Sequence, residues 1–488
     1  MSTLELEQQQ LLIGGRWTAA ANDATFETID PYTGATATVA AAAGRDDARR
    51  AVDAAREAFR GWADTPPGER RALLTRAADI LMERAPQIAA TMTEEVGGTF
   101  GWGMFNCDLA ARMLREAAAQ AYAPGGEVIP SDVPGALSMG VREPAGVVVG
   151  IAPWNAPVIL STRAVATPLA FGNTVVLKAS ERCPRTHAAV VRALDDAGLP
   201  AGAVNLVIHA PQDAPDIVDE LIAHPAVRRV SFTGSTRVGR IVAMKCAEHL
   251  KRCLLELGGK APMVVLSDAD VDAAADAASF GAFMNSGQIC MSTERIVADR
   301  AIAADLGSRL ADRAARLAVG DPRDQGTMIG PVIGDDARER ILGLIEDARS
   351  KGAEVLAGGN ADGNCIAPTV LAGVTPEMRV YAEESFGPVV TIVTVDGADE
   401  AVRVANDTEY GLAAAVFGGD VPAAMDVARR IESGICHVNS STVHDEPQMP
   451  FGGVKASGWG RFGGRAALEE FTELRWVSIQ QTPRHYPI

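Results

Sequence analysis

Between Val147 and Phe232 the chain alternates short β-rich runs with helical stretches, and this alternation constrains the fold more than any other feature. A strand ending at Val149 leads into GIAPWNAP, and a helix follows from Val158. Then come a strand at Thr174–Lys178, a helix from Thr186, a strand at Val204–Ile208, a further helix and a strand at Arg229–Phe232. Strands interleaved with helices predict a doubly wound parallel sheet. A second alternating block runs from about Met263 to Val438 and includes VVTIVTV at Val389–Val395, so the fold class is α/β with two such units. With 488 residues, 47% of them apolar, the chain exceeds what one hydrophobic core holds.

The flanking segments read differently. From Leu11 to Ala43, turn signals at Gly14-Gly15 and Asp30-Pro31 among Thr and Val predict short strands at a surface edge. Asp46–Arg60, Pro67–Thr93 and about Trp102–Ala121 carry apolar residues at helical spacing. Val128–Val149 alternates as a hairpin would, one able to project toward a partner subunit. Leu474–Gln480 follows a helix and alternates as a strand without a sequential neighbour, so it pairs with a distant strand, which could belong to another subunit.

Composition narrows the function. A formal charge of −17 and the lack of any basic run disfavour nucleic acid as a partner. The seven scattered cysteines show no C-x-x-C spacing, which fits a reducing compartment and predicts neither a disulfide framework nor a metal site. The opening MSTLELEQQQLLIGGRW has no basic stretch before an apolar core, and Pro or Gly interrupts the apolar runs before spanning length. The expectation is a soluble, cytoplasmic protein that handles small molecules, with no membrane partner.

Six stretches carry candidate chemistry. FMNSGQICM, Phe283–Met291, is a polar turn that presents Cys290 beyond an alanine-rich helix; a core thiol and a nucleophile are both open readings. In open α/β sheets ligands collect beyond the carboxyl ends of strands, which gathers Trp154, Asn155, Lys178 and Glu181 around one crevice. VSFTG followed by Ser235 opens a helix whose free N–H groups could hold a pyrophosphate, or be simply capped. Glu256 in LELGGK sits between leucines, where a carboxyl group's pKa rises into the range of a general base, though it could equally bond the glycine backbone. Glu383–Pro388 places acid and aromatic groups on a turn.

With these residues the chain resembles the aldehyde dehydrogenase superfamily over its full length. The resemblance rests on FMNSGQIC and LELGGK, with PWN at Pro153–Asn155, KASE at Lys178–Glu181, FTGS at Phe232–Ser235, EESFGPV from Glu383 and PFGG at Pro450–Gly453. It implies a Rossmann-like dinucleotide-binding domain (1–127 and 150–257), an α/β catalytic domain (258–438), a small β oligomerisation arm (128–149 and 472–488), and an active-site loop with return helix (439–471). It also implies a homodimer or homotetramer.

In that family's pattern Cys290 attacks the aldehyde carbonyl, Asn155 and the Cys290 N–H hold the oxyanion, and Glu256 activates the water that hydrolyses the thioester. NAD would be held by Ile151, Pro153, Trp154, Lys178, Ser180, Glu181, Gly234, Ser235, Gly258, Glu384 and Phe386, and Glu181 at the ribose would favour NAD over NADP. Ala156 stands where many relatives carry a bulky aromatic. With Trp102, Ile289, Met291 and Phe451 it implies a wide apolar pocket for a flat ring, and Arg163 could meet a polar substituent or form a surface or interface salt bridge. PWNAPVIL and the run from Pro450 to Gly464 resemble most the branch acting on aromatic aldehydes such as vanillin, salicylaldehyde or benzaldehyde. Aliphatic or semialdehyde oxidation, a CoA-acylating activity, and a binding role without turnover are the alternatives.

Overall fold

The computed structural model describes residues 8–488. The first seven, part of the opening stretch read above for an export signal, lie outside the described residues. An eight-stranded sheet carries 16–18, 11–13, 204–207, 174–178, 147–151, 227–233, 252–256 and 458–459 in that spatial order. Its five central strands are parallel, and three of them, 147–151, 174–178 and 204–207, are buried on both faces, which is why they read as Val- and Leu-rich runs. Strand order reverses at Val147–Ile151, so a crevice opens between the ends of that strand and of Val227–Thr233.

A seven-stranded sheet orders 354–357, 369–372, 389–395, 293–299, 261–265, 413–417 and 435–438. The short connection Leu257–Lys260 joins the end of strand Arg252–Glu256 to the start of strand Ala261–Val265. The carboxyl edge of the first sheet therefore abuts the amino edge of the second, and the site lies in that seam.

Several expectations are refined. The stretch 67–93 forms two helices, Pro67–Glu83 and Ala85–Val96. Pro86 has no N–H to continue the ladder. Leu11–Ile13, read as a surface strand, is wholly buried and pairs antiparallel at Leu12 with Leu206. Thr472–Gln480 does find a distant partner, but in the same chain. It lies antiparallel along Ala136–Pro144, which also pairs Gly126–Ile129, so the hairpin and the terminal strand make one three-stranded sheet. The return helix reduces to Leu468–Phe471, and Gly458–Trp459 from the same segment adds antiparallel to the first sheet beside Glu256. Among the described residues no helix is long and apolar enough to cross a membrane.

Candidate active site

Helix Val271–Phe283 ends in a turn that uses backbone conformations rare for side-chain-bearing residues. Asn285, Ser286 and Gly287 have φ of 50°, 55° and 70°. At Gly287 a Cβ would lie 1.9 Å from the Gly387 carbonyl oxygen, so only glycine fits. The turn is pinned on all sides. Ser286 Oγ donates to the Gly330 carbonyl at 2.9 Å, Ile333 N donates to Gln288 Oε1 at 2.9 Å, and Ser292 Oγ donates to the Gly287 carbonyl at 3.0 Å. Such strain persists only where surroundings over-determine it, and here it fixes where Cys290 emerges.

Asn155 sits opposite, just beyond the strand end at Ile151. Its side-chain amide donates to the Gln288 carbonyl at 2.9 Å, while its own carbonyl accepts from Asn285 Nδ2 at 2.9 Å and Trp102 Nε1 at 3.3 Å. One amide hydrogen of Asn155 is thereby used for orientation and the second remains to be offered to a ligand.

Two cavities meet at Cys290. One, of about 760 Å³, runs from Gly234 and Ser235 past Pro153, Trp154, Glu256 and Gly258 to Glu384 and Phe386. The other, of about 510 Å³, is lined mostly by apolar groups and includes all six expected pocket residues, Trp102, Ala156, Arg163, Ile289, Met291 and Phe451. Cys290, Asn155 and Leu160 border both. A molecule in either cavity can thus reach the same sulfur.

The electrostatics follow from burial. Burial pushes the Cys290 thiol up to about 12, and the carboxylates of Glu256 and Glu384 add to the rise. Glu256, at the end of its strand, is 2% exposed, and neither of its carboxylate oxygens has a hydrogen-bond partner. The nearby Gly453 N–H favours its charged form without completing such a bond, and burial raises its pKa to about 8. An unpaired buried carboxyl of that basicity can take a proton near neutral pH. Glu384 is likewise raised, to about 7, chiefly by burial and next by Glu294. It accepts from Gly259 N at 2.9 Å.

A dinucleotide suits the larger cavity. Ser235 caps helix Thr236–Glu248 and opens its N–H groups at the sheet's switch point. Trp154 and Phe386 meet edge to face, with ring centroids 5.7 Å apart. Ile151, Lys178, Ser180 and Glu181 do not line that cavity. Lys178 is buried at the neighbouring strand end with its ammonium 3.7 Å from Glu181, and burial lowers its pKa.

Sequence reasoning missed two charges. Glu294 pairs with Lys260 at 2.6 Å, both fully enclosed, and also accepts from Ser385 N and Phe386 N at 2.9 and 3.0 Å, so it shapes the turn carrying Glu384. The available signal was a glutamate next to an arginine at the start of the β-branched strand Thr293–Asp299, which is buried almost throughout. Asp445 ion-pairs with Arg163, whose guanidinium lies 4.1 Å over the Phe451 ring. Arg163 thus lines the pocket and is also ion-paired, in a buried pair rather than a surface or interface salt bridge, and its charge is already engaged. Nothing in HDEPQMP announced a partner at position 163.

Residues 17–477 match the profile of the aldehyde dehydrogenase family. A vanillin dehydrogenase of Pseudomonas sp. (strain HR199 / DSM 7063) is 55% identical over 98% of this chain and 99% of its own. A salicylaldehyde dehydrogenase of Pseudomonas putida is 46% identical over 98% of this chain and 99% of its own. The crystal structure of a salicylaldehyde dehydrogenase from Pseudomonas putida G7 complexed with salicylaldehyde, 46% identical, matches with a TM-score of 0.97 and covers 99% of this chain and 100% of that one.

Proposed function

The chain belongs to the aldehyde dehydrogenase family and is an NAD(P)-dependent aldehyde oxidoreductase, and we propose that its substrate is an uncharged aromatic aldehyde oxidised to the carboxylic acid with NAD. The carrying observation is the apolar cavity of about 510 Å³ that ends on Cys290 opposite the dinucleotide-sized one. Relatives named for vanillin, salicylaldehyde and benzaldehyde support the same substrate class.

In this reading Glu256 draws the proton from the Cys290 thiol, which burial otherwise keeps neutral. The thiolate adds to the carbonyl carbon, and the free Asn155 amide hydrogen and the Cys290 N–H hold the oxygen of the tetrahedral adduct. NAD, when bound, supplies the hydride acceptor that turns this adduct into a thioester. Pro153, Trp154, Gly234, Ser235, Gly258, Glu384 and Phe386 would hold it along the groove, with Ile151, Lys178, Ser180 and Glu181 at the adenosine end. Glu256 releases the thiol proton to solvent and, again a carboxylate, deprotonates the water that releases the acid. Its unpaired oxygens favour hydrolysis over transfer to CoA.

The three-stranded arm leaves Trp476 80% exposed on the same face as the exposed Leu474 and Ile129. Such a patch favours a homodimer or homotetramer. Seven free cysteines fit the cytoplasm. The test is kcat/KM across aromatic and short aliphatic aldehydes, followed by NADH absorbance. Ring aldehydes should lead by roughly tenfold or more. Equal use of acetaldehyde would reject the aromatic reading.

A further inference from the structure

The larger part of the substrate cavity is apolar, and among the described residues around it only Arg163 and Asp445 carry a fixed charge; Cys290 and His444 are its other titratable groups. The two charges form one ion pair, with side chains 7% and 10% exposed. Arg163 is held further by the Phe451 ring at 4.1 Å and Phe462 at 5.7 Å. His444 is committed elsewhere, with Nε2 3.0 Å from Glu446 and its ring 4.9 Å from that of His437.

We propose that Asp445 is a specificity-determining residue that neutralises Arg163 and so closes this cavity to aldehydes bearing a carboxylate. The inference rests on the aromatic reading above and deepens it. A buried guanidinium facing a pocket is the natural receptor for a carboxylate, because its planar fork matches two oxygens. Were Arg163 alone, the cavity would bind acidic aldehydes such as ring-carboxylated benzaldehydes or semialdehydes. With Asp445 in place, an incoming carboxylate meets a guanidinium that is already paired and, beside it, a like charge in a weakly screened site. An uncharged ring meets no such conflict and gains contact with Trp102, Ile289, Met291 and Phe451. Glu256 faces the other cavity, so the discrimination on this side falls to the pair.

A second, smaller cavity lies behind the pair, bordered by Arg163, Asp445, Glu116, Gln120 and Thr167. Both charged side chains form part of the wall between the two spaces. Asp445 reaches this position from the loop that follows Ser440 and Ser441.

The test compares 4-formylbenzoate with its methyl ester, which share the ring and the aldehyde and differ in charge. The wild-type enzyme should favour the ester in kcat/KM by roughly tenfold or more. Asp445→Asn should raise the acid-to-ester ratio by about tenfold or more, and adding Arg163→Gln should remove that gain. Comparable use of acid and ester by the wild-type enzyme would overturn the proposal without any variant, as would a folded Asp445→Asn enzyme with an unchanged ratio. Should Asp445→Asn fail to fold, Asp445→Ser, whose hydroxyl oxygen can still accept from the guanidinium but carries no charge, must raise the same ratio, and a folded Asp445→Ser enzyme with an unchanged ratio would overturn the proposal. If the wild-type enzyme oxidises neither ring compound, the aromatic reading fails by itself, and succinic semialdehyde against its methyl ester then decides the role of Asp445 by the same ratio.

Discussion

Asn285 and Asn155 are joined across the seam between the two sheets: the Asn285 side-chain amide donates to the Asn155 backbone carbonyl at 2.9 Å, and the Asn155 side chain returns a bond to the Gln288 carbonyl at 2.9 Å. The nucleophile turn and the proposed oxyanion donor therefore position one another. Asn285→Gly keeps the left-handed backbone that Asn285 requires but deletes the bond. It should lower kcat while leaving the KM for NAD close to that of the parent. Asn155→Ala removes the donor itself and should raise the barrier by about 2.7–4 kcal/mol, a hundredfold or more in kcat. Steady-state kinetics decide both, and a Glycine variant with unchanged kcat would reduce the brace to packing.

Glu256 should set the pH dependence. Burial raises its pKa from 4.5 to about 8, so the base form grows as pH rises through about 8, and the rate of acyl-enzyme hydrolysis should climb with it. Stability moves the other way. The folded chain keeps a proton that the unfolded chain releases above 4.5, so this group's favourable contribution is full below that pH and is lost as pH rises to about 8. Glu256→Gln should flatten the stability slope and slow hydrolysis by roughly 10²–10⁴-fold. Thermal unfolding and turnover against pH give both readouts, and a retained activity limb near 8 would assign the titration to another group.

Much of this architecture is legible in the residues. The strands at Thr174–Lys178 and Val389–Val395 match their sequence bounds because each is a β-branched run buried on both faces and cut off by turn residues. The six pocket residues are found together because Ala156 and Arg163 follow the strand end at Ile151, Ile289 and Met291 flank Cys290, and Phe451 and the helical Trp102 pack against them. What stays hidden is pairing across distance. Asp445 meets Arg163, and Glu294 meets Lys260, through contacts that neither periodicity nor local spacing encodes. The terminal strand shows the same limit: its alternation reveals a strand, but only tertiary structure assigns it to Ala136–Pro144 of its own chain.

Cofactor preference should turn on Glu181. Its carboxylate stands 3.7 Å from the buried Lys178 ammonium, which holds its pKa low, so it carries a full negative charge at neutral pH. A 2′-phosphate placed there would meet that charge, whereas a 2′-hydroxyl could donate to it. Glu181→Gln should lower kcat/KM for NAD and raise it for NADP, shifting the ratio by roughly tenfold or more. An unchanged ratio would place the adenosine elsewhere.

Glu294 offers the test that separates the frame of the site from its chemistry. It touches neither large cavity, yet its carboxylate binds the Lys260 ammonium at 2.6 Å together with the Ser385 and Phe386 N–H groups. Phe386 needs that support, because it holds a φ of 44°, a conformation that costs a bulky residue free energy. Glu294→Ala leaves a fully enclosed ammonium without a partner and should destabilise the fold by about 3–5 kcal/mol. Pairing it with Lys260→Met removes the stranded charge and should restore much of the stability, while the turn of Glu384 and Phe386 stays loosened. In that double variant the KM for NAD should rise several-fold, and the enzyme saturated with NAD should keep most of its kcat. Calorimetry and NAD titration separate the two effects: recovered stability with an unchanged KM for NAD would show that the Lys260–Glu294 pair serves the fold alone.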